Sequence, residues 1–176
     1  FDFKGNMHIT MDYIKSGKLD SHEFYYLKES SAKVLNQTID LINRSIVKLF
    51  PDSSDQILLD VDDLVIRLLY YPPQKNKILA SAHIDKGLAT LHLLETRPGF
   101  QYMNQDKEWQ DITLSDNKGV FFVGFQGQYI SDNKVKALPH RVVSTNENEE
   151  RYSIVVFCDY RRMSKYNKQE FGRLAD

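Results

Sequence analysis

Ile78-Leu79-Ala80-Ser81-Ala82-His83-Ile84-Asp85-Lys86-Gly87-Leu88-Ala89-Thr90-Leu91 is the stretch on which the fold turns. An apolar run, Ile78–His83, ends on an imidazole; a polar turn follows, and a second strand-like run opens at Ala89. Side chains alternate faces along a strand, so His83 and Asp85 point the same way, roughly 7 Å apart along the backbone. That gap lets both converge on one ion at about 2.0–2.2 Å from each ligand atom. A strand-end His and Asp hydrogen-bonded to turns is the competing reading, and the pair alone does not decide between them.

The strand pattern continues outward in both directions. Leu64–Tyr71 is apolar and aromatic and stops at Pro72-Pro73; Ala89–Leu94 is bounded by Arg97-Pro98-Gly99. Phe100–Met103, Trp109–Ile112, Val120–Val123, Ala137–Val143 and Tyr152–Asp159 are further strands, with Gly, Pro, Asn and Asp clustered between them. Many short strands without intervening helical patterns predict an antiparallel sandwich or barrel. Ahead of them, over 30–49, Leu35, Ile39, Ile42, Ile46 and Leu49 recur at steps of four and three, one stripe of an amphipathic helix. Ser30 or Ser31 caps its start, and Pro51 forbids continuation beyond Phe50. Such a helix braces a sheet and carries no chemistry.

The chain of 176 residues suits one domain with a real core. Its 23 Lys and Arg nearly balance 24 Asp and Glu, for a net charge of −1, so charge gives no reason to expect nucleic acid or an anionic membrane as partner. Arg161, Arg162 and Lys165 form a local basic group that reads as solvated surface. The single Cys158 excludes an internal disulfide and a Cys-rich zinc site, and its setting in Ile154–Cys158 reads as a small buried hydrophobe. No apolar stretch approaches the roughly 20 residues of a membrane helix. The opening Phe1-Asp2-Phe3-Lys4 has no signal-peptide character and no initiator Met, which is expected of a fragment or a processed product. A monomer in the cytoplasm is the default expectation.

Two further elements bear on chemistry. His140, after Pro139 and at the head of an apolar run, offers a second imidazole. Two histidines and one carboxylate make a facial triad that leaves metal positions open for oxygen and substrate. Arg151-Tyr152-Ser153 opens the last strand with two side chains on one face. A guanidinium grips a carboxylate through parallel charge-assisted hydrogen bonds, and a hydroxyl adds another donor. The alternative is an Arg reaching solvent or pairing with Glu149 or Glu150.

Taken together, the chain resembles the isopenicillin N synthase-like branch of the iron(II)/2-oxoglutarate dioxygenases. The likeness covers most of the chain and is densest over 64–160. The family's Tyr-Tyr-Pro element appears as Tyr70-Tyr71-Pro72-Pro73, its iron motif as His83-Ile84-Asp85, and its Gly-Phe-Gln…Trp stretch as Gly99-Phe100-Gln101 with Trp109. Lys136-Ala137-Leu138-Pro139-His140-Arg141-Val142-Val143 matches the distal metal segment, and Arg151-Tyr152-Ser153-Ile154-Val155-Val156-Phe157 the anion-binding strand.

The resemblance implies a mainly β double-stranded β-helix (jelly-roll) core at 58–162, an N-terminal extension with the supporting helix at 1–57, and a tail at 163–176. It implies His83, Asp85 and His140 as iron(II) ligands and as the catalytic set. Arg151 and Ser153 would bind the distal carboxylate of 2-oxoglutarate, with a further hydrogen bond from Tyr71. Molecular oxygen is the co-reactant and ascorbate a candidate accessory. A small organic molecule would be hydroxylated or desaturated, with release of succinate and carbon dioxide. Phe157, on the face of Arg151, would line the pocket or simply pack in the core; alkylated-base repair dioxygenases carry a second Arg at this place, so its absence disfavours that branch. His92 stands where relatives are apolar and reads as a substrate contact or a hydrogen-bonded edge histidine. Two departures stand out. Leu69 replaces the Asn that relatives often carry two residues before the second Tyr, and the chain is expected to lack the segment that precedes the long helix in full-length relatives. A same-fold oxidase whose Arg151/Ser153 pair binds another anion, and a non-catalytic β-helix binding module, are the competing functions.

Overall fold

The computed structural model describes residues 5–51, 57–74, 77–115 and 118–160. Nine antiparallel strands form two sheets among the described residues. The first sheet orders β1 (Gly5–Ile9), β2 (Leu64–Tyr71), β9 (Arg151–Cys158), β4 (Ala89–Glu95) and β7 (Val120–Val123) side by side. The second orders β3 (Ile78–His83), β8 (His140–Val143), β5 (Phe100–Met103) and β6 (Trp109–Ile112). This is the antiparallel sandwich expected from the strand pattern and the jelly-roll implied by the resemblance, with β1 as an added edge. The basic residues Arg161, Arg162 and Lys165 and the tail at 163–176 lie outside the described residues.

Alternation decides what each face does. Leu64, Ile66, Leu91, Val156 and Cys158 pack in one buried cluster with Leu35, Ile42 and Ile46 of the long helix. The intervening positions, among them Leu69, Tyr71, Thr90, Arg151 and Ser153, line a cavity instead. In the β2–β9 pair, Leu69 lies opposite Ser153 and Tyr71 opposite Arg151. A slip of one residue would exchange the two faces and turn the arginine into the apolar layer. Cys158 sits fully inside that layer, where burial pushes its thiol well above the ordinary range, so it packs as an apolar group.

The supporting helix, α2, runs over Tyr25–Leu49, after a short α1 (Met11–Lys15). It starts before the expected cap: Phe24 occupies the N-cap without a side-chain bond, and Ser31 lies buried within the helix. The buried stripe is Ser31, Leu35, Thr38, Ile42 and Ile46, while Leu49 faces out. The end is as expected, with Phe50 closing the helix before Pro51. Strand β8 begins at His140 rather than at Ala137, because Ala137 and Leu138 are tied to Gln128 and Val123 across the neighbouring turn.

Candidate metal and acid-binding site

His83 closes β3 and His140 opens β8, and the two stand directly opposite each other in the antiparallel pair. Their rings lie 4.3 Å apart, centre to centre. Asp85 follows in the loop, with its carboxylate 3.5 Å from His83 Nε2 and 3.8 Å from His140 Nε2. Ligand atoms of all three lie within 4.8 Å of one another, so one ion placed among them could be held by all three.

The imidazoles are oriented for that task. His83 Nδ1 is 2.7 Å from the Ser81 carbonyl, and His140 Nδ1 is 3.0 Å from the Leu138 carbonyl. A carbonyl only accepts, so each Nδ1 carries the proton and each Nε2 lone pair turns toward Asp85. Burial lowers the His140 pKa against the opposing pull of Asp85, which favours the neutral, ligating form. Thr90 Oγ1 donates to Asp85 Oδ2 at 2.5 Å. Burial works to raise the Asp85 carboxyl pKa, but the adjacent imidazoles of His83 and His140, together with the Thr90 hydroxyl, outweigh it and hold it below its ordinary value.

The Asp85 loop is held by close backbone packing. Phe125 N donates to the Asp85 carbonyl at 2.7 Å, and Gly124 N to the Leu88 carbonyl at 3.0 Å, where β7 gives way to α3 (Phe125–Ile130). A Cβ on Gly124 would stand 2.3 Å from the Gly87 carbonyl oxygen and 2.9 Å from that of Asp85, so only glycine admits this approach.

From the triad, a cavity extends between the sheets to Arg151. Its walls include Phe100, Phe122 and Val142, and the expected site residues Tyr71, His92, Ser153 and Phe157 all line it. His83 is the open side, with 41% of its side chain exposed. Arg151 is buried but does not pair with Glu149 or Glu150. Its Nη2 donates to Glu95 Oε2 at 2.7 Å and its Nε to the Arg97 carbonyl at 3.0 Å, while Nη1 has no partner among the described residues. Glu149 pairs with Arg97 instead.

Glu95 is not expected here from the sequence, because strict alternation groups Thr90 and His92 with Leu94. A register shift between His92 and Leu94 breaks the alternation. Leu94 is 46% exposed, and Glu95 comes inward opposite Ser153. Arg67 is likewise outside the expected set; it lines the cavity with its guanidinium carbon 4.4 Å from the centre of the Phe157 ring. The parity it shares with Leu69 and Tyr71 is the signal that points to it.

Residues 62–159 match the family model of the 2OG-Fe(II) oxygenase superfamily. The chain belongs to that superfamily. Among curated relatives, this superfamily member is 33% identical over 104 residues to a 2-oxoglutarate-dependent dioxygenase of Didymella fabae, covering 53% of the chain and 31% of that protein. It is 31% identical over 102 residues to flavonol synthase 1 of Crocosmia x crocosmiiflora, covering 56% of the chain and 30% of that protein. The chain thus spans about a third of the length of these relatives. Among solved structures, a full-length Neurospora crassa protein in complex with alpha-KG superposes with a TM-score of 0.74 at 23% identity, covering 90% of this chain and 55% of that one. That likeness concerns the fold. The donor set itself fits an iron(II) centre: two imidazoles whose Nδ1 atoms meet backbone carbonyls, and a carboxylate held below its ordinary pKa, gathered beside an open side.

Proposed function

We propose that this chain forms the catalytic core of an iron(II)- and 2-oxoglutarate-dependent dioxygenase that hydroxylates or desaturates a small organic substrate. The observation that carries the reading is one cavity with a His83/Asp85/His140 cluster at one end and the unpartnered Nη1 of Arg151 at the other. His83 and His140 would hold the metal through Nε2, and Asp85 through its carboxylate. When bound, iron(II) with 2-oxoglutarate and oxygen supplies oxidation of an unactivated C–H bond, with succinate and carbon dioxide released.

The chain's own residues do the rest. Arg151 Nη1 and Ser153 seat the distal carboxylate, with Tyr71 beside them on the neighbouring strand. Phe100, Phe122 and Val142 keep water from the bound co-substrate, which strengthens every polar contact inside. Thr90 and the two backbone carbonyls keep the ligands aimed while they are empty. The cavity opens past His83, and the substrate enters from that side. A reducing compartment suits a chain whose single thiol is buried.

One observation favours a second reading. Glu95 already occupies part of Arg151, so the anion held there could be one other than 2-oxoglutarate, as in a same-fold oxidase. Anaerobic titration of the iron(II) protein with 2-oxoglutarate tests the two. The weak visible charge-transfer band of a 2-oxoacid chelate is expected in wild type, is lost in Asp85→Ala and weakened in Arg151→Ala. Oxygen uptake with succinate release then completes the assignment. Iron binding without a band, and oxygen uptake without succinate, would establish the oxidase.

A further inference from the structure

The described residues include one buried side chain that the chemistry above leaves unused. His92 is 3% exposed, and neither of its ring nitrogens has a well-formed hydrogen bond among the described residues, the Leu94 backbone offering only a weak contact. Its Nε2 is 4.0 Å from Glu95 Oε2, too far for a hydrogen bond, and Phe100 packs edge-on to the ring at 5.1 Å between centres. Buried polar groups are nearly always satisfied, and an orphan that faces a cavity points to a partner that arrives from outside. Burial first, and then the charge of Arg151, lower the imidazole pKa to about 4, with the nearby Leu94 backbone working the other way. The ring is therefore neutral near pH 7, with one N–H to donate.

The place of His92 along β4 says what that partner is. Thr90 bonds to Asp85 at the metal end, and Glu95 bonds to Arg151 at the acid end. His92 lies between them on the same cavity wall. A ligand that spans from the triad to Arg151 shares its cavity with this ring. The acid end also needs another donor, because Nε and Nη2 of Arg151 are already engaged and Glu95 cancels the guanidinium charge.

We propose that His92 is a co-substrate-binding residue, its ring N–H hydrogen-bonding the distal carboxylate of a 2-oxo diacid that bridges the metal triad and Arg151. The proposal rests on the functional reading above and deepens it. The acid site of this chain is then a three-donor set, Arg151 Nη1, Ser153 and His92, built around an arginine that Glu95 has already neutralised. Preference for a diacid over a monoacid follows from the same set.

The test is calorimetric titration of the Mn(II)-loaded protein with 2-oxoglutarate and with 2-oxopentanoate, which carries a methyl group in place of the distal carboxylate. His92→Leu keeps most of the bulk and removes the donor, whereas His92→Gln keeps a donor. His92→Leu is expected to weaken 2-oxoglutarate by at least about tenfold, and His92→Gln by no more than about threefold. Neither variant should change Mn(II) affinity or the 2-oxopentanoate affinity. Unchanged 2-oxoglutarate affinity in His92→Leu overturns the proposal. So does an equal loss for both acids without rescue by Gln, since that marks a packing role.

A second measurement needs no variant. In Zn(II)-loaded wild type with ¹⁵N-labelled histidine, 2-oxoglutarate should bring out a protected imidazole N–H that 2-oxopentanoate does not. Failure to see it while 2-oxoglutarate binds overturns the role of His92 alone. Wild type that holds Mn(II) and binds no 2-oxoglutarate overturns the functional reading, and this proposal with it.

Discussion

Glu95 accepts a 2.7 Å hydrogen bond from Arg151 Nη2, and both side chains are 3% exposed. The pair brings opposite charges into the protein together, which is why an arginine can wait there without an anion. Removing one partner of a buried pair leaves the other uncompensated, typically at a cost of about 3–5 kcal/mol. Glu95→Gln keeps an acceptor for Nη2 and removes only the charge, so we expect about 2–4 kcal/mol of lost stability in the ligand-free protein. The freed positive charge should also tighten 2-oxoglutarate binding. Urea denaturation of the Mn(II) form with and without 2-oxoglutarate measures both, because a ligand that binds only the folded state adds its own stabilisation. A loss below about 0.5 kcal/mol, with no gain in 2-oxoglutarate affinity, would mean that the pair is worth no more than a surface contact.

In the proposed metal site, Thr90 would act on the ion through Asp85. Its hydroxyl fixes Asp85 Oδ2 at 2.5 Å, so Oδ1 is turned toward His83. Thr90→Val is nearly isosteric and deletes that donor. Loss of such an orienting bond commonly costs about 10–100-fold in metal affinity, and we expect that range for Mn(II) or iron(II). Thr90→Ser should restore most of it. Equal metal affinity in all three proteins would show that the Asp85 loop, clamped by Gly124 and Phe125, positions the carboxylate without help.

Local chemistry explains which parts of the molecule are readable from sequence. Leu64–Tyr71 and Ile78–His83 have the observed bounds because Pro72-Pro73 and the polar turn at Asp85–Gly87 cannot continue a ladder. His83, Asp85, His140, Arg151 and Ser153 carry their chemistry in their side chains, so they stand out. The tautomer-fixing partners of the histidines are backbone carbonyls of Ser81 and Leu138, which no residue type advertises. Glu95 is hidden by the shift in β4, where seven residues look like simple alternation and the backbone departs from it. The first turn of α2 is hidden for another reason. Phe24, Tyr25 and Tyr26 are exposed aromatics with neither a capping side chain nor a place in the buried stripe.

The orientation of that helix gives a stability test. Ile42 is fully buried against the sheet, whereas Leu41, one residue earlier, is 46% exposed. Ile42→Ala removes buried methylenes and leaves a cavity, a change that costs about 2–5 kcal/mol. Leu41→Ala should cost no more than about 0.5 kcal/mol, as surface substitutions do. Comparable losses at both positions, read from urea midpoints, would place a partner on the Leu41 face.

His92 makes the pH dependence of the metal-free protein specific. Its folded pKa of about 4 lies below the ordinary 6.5, so in that window the unfolded chain holds the proton more tightly. Stability therefore falls as pH drops below about 6.5, and near pH 4 the loss from this one group is on the order of 3 kcal/mol. His140 is lowered as well and acts in the same direction. Asp85 is lowered from 3.8, so its contribution is present above that value and disappears only at more acid pH. His92→Leu removes the His92 share and leaves the other two, so the mutant curve should be flatter than wild type between roughly pH 7 and 4.5. Denaturant midpoints at those two pH values suffice. Parallel changes in the two proteins would mean that the folded state already accommodates a charged His92, and that the ring is less sealed than its burial implies.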